Sequence, residues 1–476
     1  MLATLPPLLK RRLRRPAPLW AAILATAAGL VAAYLLKRPC IVNPWADNFQ
    51  YIHLCYNDIQ PLFGVRGISH GLIPYVDVEM EYPVLTGMFM DFAGRVLRAL
   101  SWVGMAEFSN EDYFRVSAFF LAPFAFVVTM LLRKRVTAAR LMLWAIGSPL
   151  VLHAFTNWDL LAVAGAVWGL VLYERNRPAI SGAALAAGAS AKLYPSFFLP
   201  GMILARLADR DKRSIKRMVI SFAIAFALIN VPWIIASSGL PRYLDIPGWP
   251  EYANEVSLRK PGTNGWLSIW LFHADRYPDF GTVWFWIAHH GRVLLPWKEW
   301  EVGQAGYRDV VSWISLLLFV AGSAMFLRRG WVRRGAGGYP VVAVGLGIVS
   351  VFLLVSKVHS PQYALWVIPM VAMLNVPWRY VLFYMAADLG VFVSGFYYLT
   401  VMNRSAPGWM GVFEIAVWAR ALALAGLAAA AWSAERANPD DKTPPPARAD
   451  YNQPTVAIDG RPGLGSGGRR SSRRAT

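Results

Sequence analysis

Long apolar segments alternate along the chain with short segments that are rich in arginine and lysine. About 20 apolar residues in a helix cross the hydrocarbon core of a bilayer. The pattern predicts membrane-spanning helices at about residues 17–36, 114–132, 138–155, 158–173, 216–236, 309–327, 338–356, 362–376, 380–398 and 410–432. A paired segment lies near 179–207, and weaker apolar stretches lie near 83–104 and 264–290. We therefore predict an all-α polytopic membrane protein with about 10–13 spans.

The composition agrees with this pattern. Of the 476 residues, 56% are hydrophobic and 16% are charged, and the mean hydropathy is +0.39. Soluble domains are about 25% charged. The 47 Lys and Arg residues outnumber the 28 Asp and Glu residues, which gives a net charge of +19. The basic residues lie beside the ends of apolar segments, so their charge indicates membrane topology and not nucleic-acid binding.

The basic clusters also predict the orientation of the chain. They lie at 10–15, 133–135, 206–217 and 328–334, and such clusters face the cytoplasm. We expect residues 1–16 to be a basic cytoplasmic N-terminus and residues 17–433 to form the membrane domain. Residues 434–476 are rich in Pro, Gly, Ser and Arg, which predicts a disordered cytoplasmic tail. The predicted location is the plasma membrane.

The segment 179–207 has basic residues at both ends, yet it is too short to cross the membrane twice. Each arm has about 13 residues and covers roughly 20 Å as a helix. The sequence predicts two short helices that turn at Ala191–Pro195. Irregular backbone at membrane depth is buried in protein or lines a watery cavity. We therefore expect Lys192 to face such a cavity.

Two segments on the outer side, 37–113 and 237–308, are too long to be simple connections, and we expect short juxtamembrane helices in them. Long ordered loops on a rigid scaffold commonly carry binding and catalysis. The second is rich in tryptophan, which stacks on sugar rings or anchors at the membrane interface. In the first, Asp58 lies among Ile59, Leu62 and Phe63. A carboxyl group partly withdrawn from water has a raised pKa and suits a general base.

Cys40 and Cys55 are the only cysteines, and both fall in the first outer segment. The outside of the cell permits disulfides. We predict a disulfide between them, which would hold the chain next to Asp58; two separate buried thiols are the alternative.

Three cationic or titratable side chains interrupt apolar segments on the same side. Lys192, Lys357 and His359 are costly at membrane depth, which makes them functional candidates, and all three are able to bind phosphate. For Lys357 and His359 the alternative is extension to the outer interface. The chain has no P-loop, nucleotide-binding glycine motif or zinc-type His/Cys spacing. We predict no cofactor and no tightly held metal, and we leave a loosely bound divalent cation open.

An ordered set of short motifs resembles glycosyltransferase family 87, whose members include actinobacterial membrane enzymes. The motifs lie at Cys55–Asp58, Gly71–Asp77, Glu81–Pro83, Asn157–Asp159, Ala191–Pro195 and Ser360–Tyr363, within about residues 20–430. The resemblance implies a GT-C fold and a mannosyltransferase that uses polyprenyl-phosphate mannose. It also implies an acidic base in the first outer loop, a position that Asp58 matches. Pro83-Val84 stands where the family usually has two prolines, which leaves the acceptor open.

From the residues and the resemblance together, we expect transfer of a sugar, most simply mannose, from a polyprenyl monophosphate donor to a lipid-linked or cell-envelope glycan acceptor. Asp58 would be the general base, and Lys192, Lys357 and His359 would hold the donor phosphate. The expected substrate-binding residues are Asp77, Glu81, Tyr82, Asp159, Gln362 and Tyr363, of which Asp77 and Glu81 also suit ordering of the loop. The expected partners are these substrates and membrane lipid, with no nucleic acid and with protein partners unknown. The alternatives are a lipid-linked sugar flippase or other transporter, a glycan ligase, and a non-catalytic assembly subunit.

Overall fold

The computed structural model describes residues 15–245, 256–294, 303–334, 338–402 and 408–434. Within these ranges the chain is helical, and isolated bridges join Val78 to Pro74 and to Leu258. Most of the basic N-terminus and the tail predicted for 434–476, beyond Ala434, lie outside the described residues.

The α-helices follow one another along the chain, and we number them in order. They are α1 (Leu19–Val42), α2 (Phe49–Ile52), α3 (Ile59–Val65), α4 (Val84–Trp102), α5 (Asn110–Arg133), α6 (Ala138–Ala145), α7 (Ser148–His153), α8 (Asp159–Glu174), α9 (Pro178–Ala189), α10 (Phe198–Ala208), α11 (Lys212–Ala236), α12 (Gly265–Asp275), α13 (Val283–Leu294), α14 (Ala305–Val332), α15 (Val341–Val355), α16 (Ala364–Met373), α17 (Trp378–Met402) and α18 (Gly408–Ala431). Short 3₁₀ helices lie at Tyr194–Phe197, Arg242–Asp245 and Pro361–Tyr363.

Six of the described helices, α1, α5, α11, α14, α17 and α18, are long and apolar enough to cross a membrane. Shorter apolar helices lie between them, in α6–α7, α9 and α15. These lengths and compositions confirm the prediction of an all-α polytopic membrane protein.

Helix α9 packs closely between α8 and α11 because its side chains are small. A Cβ atom on Gly165 of α8 would lie only 2.6 Å from the Cα atom of Gly188 in α9. Such close approach of backbones is typical of membrane helix pairs, whose attraction comes mainly from van der Waals packing. The α8–α9 pair therefore gives a rigid base to the turn that follows α9.

The predicted break at Lys192 is confirmed. Helix α9 ends at Ala189, and the chain continues through a 3₁₀ helix that begins at Tyr194 before it enters α10. Thr86 of α4 ties this turn to the first long loop, because its hydroxyl donates to the carbonyl oxygen of Ala191 at 2.8 Å. Lys192 is thereby held against the residues that precede α4.

Several predicted boundaries were wrong. Helix α1 continues to Val42, so Lys37 and Cys40 belong to the helix and the first long loop begins later than residue 37. The predicted span ended at residue 36 because Lys37 is charged. In the structure the ammonium group of Lys37 donates to the carbonyl oxygen of Tyr56, and the helix continues past this residue. The predicted span 138–155 is broken at Ile146 because Pro149 starts a new helix.

The weaker apolar stretches also differ from simple spans. The stretch near 83–104 is the single helix α4, whereas that near 264–290 divides into α12 and α13. The span predicted at 362–376 contains only α16, since the backbone becomes extended at Leu374.

The two long loops bind to each other over one end of the helices. The buried carboxylate of Asp77 accepts hydrogen bonds from the backbone N–H of Arg242 at 2.8 Å and from its guanidinium group at 3.0 Å. Arg259 is also buried and donates to the carbonyl oxygens of Val76 at 2.6 Å and Gly239 at 2.8 Å. The first and second loops therefore pack together at one end of the helices. We call this end, which carries Asp58, the Asp58 face.

Arginine side chains gather at the opposite helix ends, which we call the arginine face. They bond to carbonyl or carboxylate groups of neighbouring segments, in the pairs Arg133–Ala17, Arg135–Glu174 and Arg206–Tyr173. These contacts bring together clusters that are far apart in the sequence, and they separate the basic residues from the acidic loop residues.

Cys40 and Cys55 form a disulfide with their Cα atoms 5.6 Å apart. Because the bridge links residues 15 positions apart, replacing both with serine is expected to lower the free energy of unfolding by about 3 kcal/mol. Thermal unfolding in detergent should show a lower melting temperature than the wild-type protein. An unchanged melting temperature, with two thiols alkylated in unreduced wild-type protein, would contradict the predicted contribution.

Candidate active site

Asp58 lies at the start of α3, and its carboxylate is fixed on both oxygens. The Tyr56 hydroxyl donates to Oδ1 at 2.9 Å, and the Asn157 amide donates to Oδ2 at 2.7 Å. The backbone N–H of Asp58 donates to the carbonyl oxygen of Thr156 at 2.8 Å. These bonds attach the first long loop to the residues that precede α8, so the carboxylate has a defined position.

The surroundings of Asp58 change its affinity for a proton. Burial raises the pKa of the Asp58 carboxyl above its usual value, and the negative charge of Glu81 raises it further. Hydrogen bonds from Asn157 and Tyr56 and the positive charge of Lys192 act in the opposite direction. The net effect is a raised pKa, which brings a carboxylate closer to the range in which it accepts protons effectively near neutral pH.

A buried lysine lies behind the loop that carries Asp58. Lys37 of α1 is fully buried and donates from Nζ to the carbonyl oxygen of Tyr56 at 2.7 Å. The Cys40–Cys55 disulfide and a bond from the Gln60 amide to the Cys40 carbonyl at 3.0 Å hold the same loop to α1. The residues around Asp58 are thus attached to α1 as well as to α8.

Asp58 lines a cavity of about 600 Å³ on the Asp58 face, a size in the range of ligand-binding pockets. We call it the large cavity. Several elements distant in sequence contribute to its wall, and the predicted site residues among its lining are Asp58, Glu81, Tyr82, Lys192, Lys357, Gln362 and Tyr363.

Lys192 is a cation in the wall of the large cavity. Its ammonium nitrogen lies 3.6 Å from the Asp159 carboxylate, 4.7 Å from the centroid of the Tyr82 ring and 5.6 Å from that of Tyr363. Asp159 is also held by the Trp366 indole N–H at 2.7 Å. A single carboxylate and two aromatic faces therefore fix the ammonium group in the cavity wall.

Asp77 and Asp159, two of the expected substrate-binding residues, have buried partners within the protein. Asp77 is fully buried in its bonds to Arg242, and Asp159 is fully buried in its contacts with Lys192 and Trp366. Neither lines the large cavity. Asp77 joins the two loops, and Asp159 positions Lys192.

Lys357 and His359, the other two predicted phosphate ligands, differ from Lys192. Lys357 lines the large cavity, but its ammonium group already donates to the Ala274 carbonyl at 2.7 Å and the Ser312 hydroxyl at 2.8 Å. His359 is buried, and burial together with the charge of Arg420 holds its pKa well below its usual value. A neutral His359 brings no positive charge.

His359 lines a second cavity of about 330 Å³, which we call the small cavity. Its wall includes the aromatic side chains of Tyr51, Phe280, Phe392, Phe396 and Phe413. The large and small cavities share Tyr56, Asp58, Ser360 and Gln362 in their linings. Asp58 therefore lies where the two cavities meet.

A comparison with models of protein families assigns the chain to a family. The model of glycosyltransferase family 87 matches residues 111–357, slightly more than half of the chain. The chain belongs to glycosyltransferase family 87. No curated protein matches it. The matched segment contains Lys192 and Lys357, whereas Asp58 precedes it and His359 follows it.

Two residues of this glycosyltransferase that the sequence reasoning did not include also face the large cavity. Arg276 follows α12, lines the cavity, lies over the Phe272 ring at 5.6 Å and interacts electrostatically with Asp279. His273 lines the same cavity and bonds through Nε2 to the carbonyl oxygen of Glu81 at 3.0 Å. Arg276 resembles any surface arginine in the sequence, so only the fold indicates its position.

Glu81 and the aromatic residues of the cavity have defined partners. Arg66 pairs with the Glu81 carboxylate at 3.4 Å. The Tyr82 hydroxyl accepts a hydrogen bond from Asn157 at 2.8 Å, and the Tyr363 ring stacks on Trp366 with centroids 3.9 Å apart. Within the described residues, no group of three His, Cys, Asp or Glu side chains is placed to hold a metal ion.

The hydrogen bond from Tyr56 gives a pH-dependent prediction. If Asp58 acts as a general base, it does so in its ionised form, and sugar transfer should then fall as pH decreases through its raised pKa. Tyr56→Phe removes a donor that stabilises the carboxylate and should move this acid limb to higher pH. The pH profile of kcat/KM measures the change, with Tyr277→Phe, whose tyrosine does not line either cavity, as the matched control. An acid limb that stays in place or moves to lower pH would contradict the assigned role.

Proposed function

We propose that the protein transfers a sugar, most simply mannose, from a polyprenyl monophosphate to a lipid-linked or cell-envelope glycan acceptor, with Asp58 as general base. The observation that carries the proposal is the position of the Asp58 carboxylate. It is fixed on both oxygens and lines a cavity whose wall also contains Lys192 and Arg276. Sugar transfer removes a proton from the acceptor hydroxyl and places negative charge on the departing phosphate. A base and cations around one cavity suit these two changes.

The bond changes follow from these positions. Asp58 takes the proton of an acceptor hydroxyl, whose oxygen forms a bond to the anomeric carbon of the donor sugar. The bond from that carbon to the phosphate oxygen breaks, and polyprenyl phosphate leaves with the electron pair. Because attack and departure are in line, the configuration at the anomeric carbon is inverted.

The leaving phosphate needs positive charge, which acts mainly as negative charge develops on the departing oxygen. Lys192 supplies a fixed ammonium group, and Arg276 supplies a guanidinium group in the cavity wall. Arginine binds phosphate oxygens in a bidentate manner. In this proposal Arg276 replaces His359 as a phosphate ligand, and Lys357 supports the cavity wall through Ala274 and Ser312. The mechanism includes no cofactor.

The two cavities give the proposal a place for each substrate. The donor occupies the large cavity, where the cations are, and the reacting sugar of the acceptor occupies the aromatic small cavity. Aromatic faces pack well against the apolar face of a sugar ring, while polar groups fix its orientation. Asp58 is shared by both linings and so reaches an acceptor hydroxyl beside the donor carbon.

The charge distribution supports the location. The arginine face carries contacts of Arg133, Arg135 and Arg206, and positive residues favour the cytoplasmic side of a plasma membrane. With that face inside, both termini are cytoplasmic and the Asp58 face is outside. The Cys40–Cys55 disulfide on the Asp58 face agrees with an oxidising compartment.

Membership of a glycosyltransferase family favours sugar transfer over a lipid-linked sugar flippase, because a flippase breaks no glycosidic or phosphate ester bond. Attachment of a whole glycan, as in a ligase, would use the same base and leaving phosphate. The nature of the donor therefore separates these reactions.

Asp58→Asn tests the proposed base directly. The amide keeps the shape of the side chain but accepts no proton, so transfer of radiolabelled mannose from polyprenyl-phosphate mannose to a membrane lipid extract should fall by about 10²-fold or more. The melting temperature should stay close to that of the wild type. Asp209→Asn, at an exposed residue after α10, is the matched control and should keep its activity. Normal turnover by Asp58→Asn would exclude Asp58 as the base.

A further inference from the structure

The two cavities meet at a polar group that the proposed chemistry does not use. Their linings share four residues, Tyr56, Asp58, Ser360 and Gln362. Asp58 is the proposed base, and the Tyr56 hydroxyl donates to it. The side-chain amide of Gln362 takes no part in the proposed proton transfer or in phosphate binding.

Gln362 lies in a short 3₁₀ helix that neighbouring elements hold in place. This helix, Pro361–Tyr363, packs against α7, α16 and α17. The ring of Tyr363 stacks on Trp366, whose indole N–H donates to Asp159 at 2.7 Å. The backbone of Gln362 is therefore attached to the contacts that build the wall of the large cavity.

The amide of Gln362 is buried in the protein but open to the cavities. Only 4% of the residue is exposed. Neither polar atom of its amide has a hydrogen-bond partner among the described residues, yet both retain accessible surface. Because the residue is otherwise enclosed and lines both cavities, this surface opens on them. An unpaired amide in such a place costs free energy, which a ligand that completes its hydrogen bonds would offset.

The chemistry of the amide suits two sugars at once. It carries one oxygen that accepts hydrogen bonds and two N–H groups that donate them. Lys192 and Arg276 line the large cavity and not the small one, whereas Phe392 and Phe396 line the small cavity and not the large one. A neutral amide at the junction is therefore able to contact a sugar ring in each cavity, and it leaves the phosphate to the cations.

We propose that the Gln362 amide bonds at the same time to the donor sugar and to the reacting sugar of the acceptor, and so aligns the acceptor hydroxyl with the anomeric carbon beside Asp58. The inference rests on the proposed function, because it uses the assignment of the donor to the large cavity and of the acceptor to the small cavity. Gln362 exchanges no proton in this role and is a positioning residue.

Loss of this alignment has a chemical consequence. Water then takes the place of the acceptor hydroxyl: its oxygen bonds to the anomeric carbon, its proton goes to Asp58, and the bond to the phosphate oxygen breaks. The products are free mannose and polyprenyl phosphate. The share of consumed donor that appears as free mannose therefore measures how well the acceptor is positioned.

Gln362→Met removes the amide and keeps the length of the side chain. The half-saturating concentration of polyprenyl-phosphate mannose and the half-saturating amount of membrane lipid extract should each rise about fivefold, because each substrate loses a hydrogen bond. The share of free mannose should rise by about tenfold. Gln304→Met, at an exposed residue before α14 that lines neither cavity, is the matched control and should behave as the wild type.

Gln362→Asn is the second variant, which keeps an amide in the buried position. Its side chain is one methylene shorter, so the amide no longer spans the junction, and the share of free mannose should again rise. A general loss of structure lowers transfer and hydrolysis together and leaves this share unchanged. Melting temperatures of both variants identify such a loss.

The outcomes are distinct. A rise in both half-saturating values with a larger share of free mannose, at melting temperatures close to that of the wild type, supports the proposal. A rise for one substrate alone, or a wild-type share of free mannose in both variants, overturns it. Asp58→Asn in the same assay tests the proposed function separately: it should lose transfer and hydrolysis alike, and if it turns over normally the proposed base falls whatever the Gln362 variants show.

Discussion

The candidate active site depends on the hydrogen bonds that fix the Asp58 carboxylate. Tyr56 and Asn157 each donate to one of its oxygens, and the Asp58 N–H bonds to the residue before Asn157. A carboxylate moved partly out of water needs such partners to remain ionised. The same bonds join the first long loop to the start of α8. The same hydrogen bonds therefore position the proposed base and hold the first long loop against α8.

The charges of the cavity are organised around this carboxylate. Asp159 is buried below Lys192 and faces it at 3.6 Å, while Glu81 is paired with Arg66. Lys357 and Asp58 have uncharged hydrogen-bond partners instead, and Arg276 interacts electrostatically with Asp279. Glycosyltransferase family 87 supplies the class of reaction, and this distribution supplies the roles that we propose. A guanidinium group in a cavity wall is able to bind an anionic substrate.

The sequence predicted the features that local chemistry determines. The break at Lys192 followed from short arms with basic ends, and the charged clusters separated the two faces. It did not predict Lys37 within α1, because an apolar pattern ends at a lysine even where a carbonyl partner lets the helix continue. Nor did it find Arg276, whose role depends on how the second loop folds over the first. Ordering of the loop was expected of Asp77, but its partner Arg242 could not be predicted because it is far away in the sequence.

The most direct test is a cryo-EM structure of the Asp58→Asn variant with polyprenyl-phosphate mannose bound. The account predicts the donor phosphate within about 4 Å of Lys192 and Arg276, inside the large cavity, with the anomeric carbon facing residue 58 and the small cavity beyond it. A phosphate bound on the arginine face, or a sugar with its anomeric carbon turned away from residue 58, would contradict the central claim.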